Sequence, residues 1–274
     1  MSLRPVALWL VLLAWPAAQA AELVAPYVQT VQDDVERMLD LAGAGPGDYL
    51  IDLGSGDGRI VITAAARGAL GLGVELDGDL VALARRRARS NGLDERAAFV
   101  EGDIFAADVS GATIVTLYLM PEINLRLRPK LLAELRPGTR VISNSFDMGD
   151  WVADRHVGAR SSGGLHLWIV PAEVAGRWRI ELSGRTMTLD VEQHFQRFAA
   201  TLGDGDAQVP VADPALRGDR IRFAAVGETA RYAFAARVED GRMTGIVHVH
   251  DGRTAVAQPF SAARVARVDD APGL

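Results

Sequence analysis

The stretch Asp52-Leu53-Gly54-Ser55-Gly56-Asp57-Gly58 constrains this chain more than any other, because it sets three glycines between an apolar run and a helical pattern. Residues 48–53 read as a buried strand, and Arg59 to Arg67 as a helix closed by Gly68. A glycine-rich turn from strand to helix lets backbone amides approach a ligand at the switch-point end of an open α/β sheet. The next apolar run, 71–76, carries Glu75, about 20 residues on, where an acidic side chain at a strand end can hold two ribose hydroxyls. Asp103, in Glu101-Gly102-Asp103-Ile104-Phe105, follows a third run at 97–100 and is placed to accept from the amino group of an adenine. Any one of these acids alone would be a helix cap or a solvated loop residue. Three at successive strand ends point to a nucleoside. The nicotinamide fingerprint Gly-x-Gly-x-x-Gly is the nearest competitor, and here Arg59 occupies its third glycine position.

The alternation continues. Residues 79–90 form an Arg-rich amphipathic helix ended by Asn91-Gly92, 112–119 a strand, 122–136 a helix that Pro129 should kink or shorten, and 140–146 a further strand. Strands alternating with helices imply a doubly wound, Rossmann-like, mainly parallel sheet with helices on both faces, spanning residues 21–172. After Pro171 the period drops to two: Met187, Leu189 and Val191 alternate with Thr188 and Asp190, and Tyr232, Phe234, Ala236 and Val238 repeat the habit. With hairpin signals at Asp240-Gly241 and Asp251-Gly252, residues 173–268 read as a small antiparallel β-domain, which a barrel would close, and 269–274 as a loose tail. Trp178, Phe195, Phe198, Phe223, Tyr232 and Phe234 are its expected core.

Composition narrows the chemistry. The chain has no cysteine, so disulfides, thiolate metal sites and a catalytic thiol are excluded. Its net charge of −6 argues against a broad phosphate-binding face and hence against a nucleic-acid partner. His248 and His250, two apart on one strand, lack a third ligand, so no metal is expected. Arg85, Arg86, Arg87 and Arg89 read as the wet face of their helix. Residues 1–20 have the three parts of a signal peptide: Arg4, an apolar run from Val6 to Trp15, and Ala18-Gln19-Ala20 before Ala21. That run is half the roughly 20 residues a bilayer span needs, so a stable span is not expected. The expectation is export to the periplasm or beyond, with anchoring by an uncleaved signal as the alternative.

The motifs Asp-Leu-Gly-Ser-Gly-Asp-Gly-Arg, Gly-Val-Glu75-Leu-Asp and Glu-Gly-Asp103-Ile-Phe resemble those of class I S-adenosylmethionine-dependent methyltransferases. Pro26-Tyr27-Val, Leu119-Met-Pro121-Glu-Ile-Asn124, the stretch from Pro129 to Val141, and Phe146-Asp-Met-Gly-Asp-Trp151 resemble the seven-strand lysine methyltransferases of the FAM173 group, which are related to Dot1. The resemblance implies that Asp52, Gly54, Ser55, Gly56 and Gly58 lie under the methionine part of S-adenosyl-L-methionine, with Glu75 on its ribose and Asp103 and Ile104 at its adenine. It implies that Tyr27 and Thr30 close over the cofactor from the N-terminal side. Thr116 and Tyr118 would face the methyl group as the catalytic pair, with Pro121, Phe146 and Trp151 in the acceptor pocket. Many amino- and nucleobase-methylating relatives carry Asn or Asp before Pro-Pro-aromatic after the fourth strand. This chain has Val115-Thr116-Leu117-Tyr118 there, which argues against nucleobase chemistry. The expected activity is methyl transfer to an amine, foremost a protein lysine. A small-molecule methyltransferase and an exported nucleoside-binding module without catalysis are the alternatives.

Overall fold

The computed structural model describes residues 29–158, 163–227 and 230–266. The expected signal peptide at 1–20, Tyr27 and the expected tail at 269–274 lie outside them.

The first half alternates as its periodicity demands. After α1 (Gln32–Ala42) come β1 (Tyr49–Leu53), α2 (Arg59–Ala66), β2 (Leu70–Glu75), α3 (Gly78–Ser90), β3 (Ala97–Glu101), β4 (Ile114–Leu117), α4 (Pro121–Glu134), β5 (Arg140–Asn144), β6 (Arg155–Val157) and β7 (Leu165–Ile169). The seven strands form one sheet in the order β3-β2-β1-β4-β5-β7-β6. It is parallel except for β7, which runs antiparallel to β5 and β6. Chain order reverses direction between β1 and β4, the switch point at which open α/β sheets bind ligands. One face is buried by α1, α2 and α3 through Val35, Leu39, Val61, Ala64 and Ala84, and the other by α4 through Ile123, Leu127 and Leu131. Strands covered on both faces need apolar residues on both, which is why β4 has no exposed position. Pro129 does not end α4. The helix runs through it to Glu134, with Pro129 on its exposed side.

The second half is a separate nine-stranded antiparallel sheet: β8 (Gly176–Leu182), β9 (Arg185–His194), β10 (Arg197–Asp204), β11 (Ala207–Pro210), β12 (Ala212–Arg217), β13 (Arg220–Val226), β14 (Arg231–Glu239), β15 (Arg242–His250) and β16 (Ala255–Ala266). Its order is β11-β10-β9-β8-β16-β15-β14-β13-β12, and β10 approaches β12 so that the sheet nearly closes into a barrel. Alternation is strict: β14 buries Tyr232, Phe234, Ala236 and Val238 and exposes every residue between them. The interior is filled by Trp178, Leu189, Phe223, Phe234, Met243 and Phe260. His248 and His250 face outward on β15, exposed to solvent. Among the described residues no helix is long and apolar enough to cross a membrane.

Candidate functional site

The carboxyl ends of β1, β2, β4 and β5 meet on one side of the first sheet, and polar side chains that the fold buries collect there. Asp52, on β1, is enclosed and accepts a hydrogen bond from Thr116 Oγ1 of the neighbouring β4 at 2.6 Å. Burial, opposed by that hydrogen bond and reinforced by the charges of Glu75 and Asp57, pushes the Asp52 carboxyl up to about 7. The turn that follows uses left-handed backbone at Gly54, Gly56 and Gly58, with φ of 81°, 53° and 81°. These glycines differ in purpose. A side chain at Gly58 would lie 2.6 Å from Phe99 and 2.8 Å from Ala84, so this glycine lets α2 pack against the sheet and is corrected from ligand contact to packing. Gly54 is exposed at the mouth, where a β-carbon would press on Leu119. The Ser55 side chain turns away from the mouth, its buried Oγ without a partner against Gly73, so only its backbone faces the site.

Four of the turn's amides are already employed. Gly54 and Ser55 donate to the Val74 carbonyl at 2.9 and 3.0 Å, Gly58 donates to the Ser55 carbonyl at 2.9 Å, and Gly56 donates to Glu75 Oε2 at 2.8 Å. The first amide of α2, on Arg59, points at Asp57 Oδ1. Asp57 is buried and held by Arg59 at 2.6 Å and by Arg87. Burial alone would raise its pKa; the two guanidinium groups more than offset that and hold it below the usual carboxylate range. The helix N-terminus therefore carries a carboxylate of its own, and a pyrophosphate would find that position already taken. What the site offers a ligand is acceptors: the half-buried Glu75 carboxylate and the Asp52 carboxyl beneath the turn. That set fits a cationic nucleoside with ribose hydroxyls, which is the character of S-adenosylmethionine.

The remaining candidates fall around this centre. Asp103 is exposed, accepts from the Phe105 amide at 2.8 Å, and follows Gly102, whose amide donates to the Glu75 carbonyl. Ile104 is half-buried beside it against the α4-side core. Thr30 is buried, and its carbonyl accepts from Arg59 Nη1 at 2.6 Å, which ties the segment entering α1 to the glycine turn. Tyr118 and Phe146, beyond β4 and β5, lie with rings stacked at 6.4 Å, and Pro121 is half-buried at the first turn of α4. Trp151 requires a correction. Its side chain is 0% exposed, wedged 5.8 Å from Trp168 and 5.9 Å from Phe195, so it supports the pocket from behind instead of lining it.

Two residues were not singled out from the sequence. Arg59 holds Asp57 and Thr30 together; its signal was the Asp57-x-Arg59 spacing. Asn124, buried in α4, donates from Nδ2 to the carbonyls of Phe146 at 3.4 Å and Asp147 at 3.3 Å and to Ser143 Oγ at 3.3 Å. An asparagine in the apolar stripe of a helix was the clue to it. A separate cleft lined by Arg136, Asp219, Arg237 and Arg264 lies near the start of β5, at the opposite end of that strand from Phe146.

Comparison with known proteins bears on this geometry. Residues 52–155 match the ANTKMT methyltransferase domain family. The chain is 43% identical over 128 residues to a protein-lysine N-methyltransferase of Saccharolobus islandicus, an alignment covering 46% of this chain and 80% of that protein. It is 37% identical over 130 residues to the adenine nucleotide translocase lysine N-methyltransferase of Mus musculus, covering 47% of this chain and 56% of that one. A solved structure titled an RNA methyltransferase from Salinibacter ruber, bound to S-adenosyl-L-homocysteine, is 49% identical, with a TM-score of 0.52, and covers 54% of this chain and 96% of its own. All three likenesses leave a large part of this chain unmatched.

Proposed function

Because the chain belongs to the S-adenosylmethionine-dependent methyltransferases that include the protein-lysine N-methyltransferases, we propose that it transfers a methyl group to a lysine ε-amine of a protein substrate. The observation that carries this reading is the acceptor-rich, donor-poor glycine turn between Asp52 and Glu75. S-adenosylmethionine, when bound, supplies a methyl group already activated on a positively charged sulfur. The chain's own residues then have to bind, orient and exclude water. Glu75 holds the ribose. Asp52, fixed by Thr116, places negative charge under the cationic end of the donor. Asp103 and Ile104 flank the adenine, and Thr30, clamped by Arg59, closes the N-terminal side together with Tyr27.

The Tyr118 and Phe146 rings frame the approach of the acceptor, an apolar passage suited to the methylene stem of a lysine. Desolvation there favours the neutral amine, the form that carries a lone pair. The RNA named for the Salinibacter protein is less suited to this chain, whose charge is −6 and whose fourth strand ends in Thr116-Leu117-Tyr118. We also read residues 1–20 as an export signal, which the N-terminal residue of the mature protein would test: a start at Ala21 supports cleavage and export, and an intact Met1 removes the cleaved form and leaves the anchoring alternative.

Calorimetric titration with S-adenosylmethionine, with NAD as the control, tests the cofactor. Micromolar binding of the sulfonium nucleoside alone is expected; equal binding of NAD would sink the argument from the occupied amides. Transfer of labelled methyl to poly-L-lysine tests the acceptor.

A further inference from the structure

One of the turns through which the second sheet meets the first is unusual. His194 pairs with Arg197 across a two-residue loop, Phe195-Gln196, at the tip of β9 and β10. Two-residue hairpins favour residues that tolerate positive φ, glycine and asparagine above all. The sheet's other described turns of this length obey the rule: Ser183-Gly184, Gly205-Asp206, Gly218-Asp219 and Asp240-Gly241 each contain glycine. Phe195 instead sits at φ 53° with a full aromatic side chain, a conformation that large residues avoid. A strained residue persists where the surroundings over-determine it.

Those surroundings are residues 146–152, the loop that leaves β5 beside Tyr118. The Phe195 ring stacks 5.9 Å from Trp151, and the Arg128 guanidinium of α4 lies 5.3 Å from its centroid. Gln196 Nε2 donates to the Val152 carbonyl at 2.6 Å. Arg128 in turn donates to the Met148 carbonyl at 2.7 Å and pairs with Asp150. The loop is thus gripped at one end by Asn124, in its middle by Arg128, and at its far end by a residue pair from the other sheet. Phe146, the ring facing Tyr118, belongs to the gripped segment.

We propose that the β9–β10 tip is a positioning element of the methyltransferase site: through Phe195 and Gln196, the second sheet sets the conformation of loop 146–152 and so the width of the acceptor passage. This rests on the lysine-transfer reading for its functional half. It gives the antiparallel sheet a role in choosing the acceptor, with none in holding the cofactor.

The test replaces the tip with the turn its geometry prefers. The double substitution Phe195→Asn with Gln196→Gly relieves backbone strain while deleting both contacts, so the hairpin itself is kept. Amide hydrogen exchange of residues 146–152 should then accelerate about tenfold or more, while the amides of 54–58 stay as protected as before. Affinity for S-adenosyl-L-homocysteine should stay within about twofold, and kcat/KM for methylation of poly-L-lysine should fall about tenfold or more, since small misplacements at a reacting centre are costly. Phe195→Trp, which keeps a stacked ring, should restore both. Unchanged exchange in loop 146–152 would overturn the proposal, as would a fall in cofactor affinity equal to the fall in turnover. The exchange measurement needs no acceptor, so failure of wild-type transfer would strike the lysine reading and leave the loop proposal decided on its own evidence.

Discussion

The two sheets bury their interiors by opposite rules. The parallel sheet is covered on both faces and keeps polar groups inside it, whereas the antiparallel sheet sorts polar from apolar residue by residue and keeps almost none. Asp204 is the only member of the second sheet among the described polar or charged residues that are buried; the others, from Thr30 to Asn144, lie in the first half. Buried polar groups cost stability unless they are satisfied, so a fold that collects them at the carboxyl ends of neighbouring strands gives up stability for chemistry. The second sheet gives up little: beside Asp204, its departure is the strained turn that reaches across to the first.

Gly58→Val presses hardest on this contrast. Left-handed backbone at φ 81° and a β-carbon 2.6 Å from Phe99 should together cost roughly 3 kcal/mol or more and abolish cofactor binding, read from thermal melts and calorimetry. A variant that melted like wild type would show that α2 has room the structure does not allow.

Asp52→Asn separates stability from binding. Asp52 has a folded pKa near 7, above its unfolded value, so the native chain binds more protons between about pH 4 and 7 and this group makes stability fall as pH rises through that window. The asparagine variant should flatten that part of the profile in chemical denaturation at several pH values. It should also bind S-adenosylmethionine more weakly than wild type at pH 8, where the native carboxylate is charged. An unaltered pH profile would place the proton elsewhere.

Glu75→Ala should weaken S-adenosylmethionine by about 1–3 kcal/mol, since a charged acceptor is lost and the Gly56 amide loses its partner with it. In the second sheet, Asp204→Asn removes the charge that pairs with Arg185 and leaves one acceptor oxygen where two serve Arg185 at 2.5 Å and the Tyr232 hydroxyl at 3.1 Å. It should lower denaturation stability by about 1–2 kcal/mol with cofactor affinity untouched, because Arg185 can reach water. A change in cofactor affinity there would break the separation of the two sheets. At the small end, Arg177→Ala dissolves only a solvent-exposed pair with Asp190 and should leave the melting temperature where it was.

Much of this was legible before any coordinates. The glycine turn, Glu75 and Asp103 could be read because ligand-binding corners of α/β sheets sit at fixed places along the chain, and the change of period after Pro171 announced a second kind of sheet. Two things were not legible. Sequence separates the roles of Gly54 and Gly58 poorly, since solvent exposure beside Leu119 at one and Phe99 beneath the other are facts of tertiary packing. Trp151 was expected in the acceptor pocket because the stretch Phe146 to Trp151 resembles the family's, yet its ring is covered by Phe195, which stands 44 positions later in the chain. The clue that remained was local: Phe195-Gln196 is a poor sequence for a two-residue hairpin, and a poor local choice signals a distant contact.

The carboxylate that Asp57 places at the start of α2 also governs competition. ATP shares the adenosine half of S-adenosylmethionine, and an enzyme whose glycine turn welcomed phosphates would be inhibited wherever nucleotides are abundant. Here the anion position is filled from within the protein and locked by Arg59 and Arg87. A nucleoside triphosphate finds the start of this helix already taken by a carboxylate that it would have to displace from two arginines, while a nucleoside without phosphates has no need of that position.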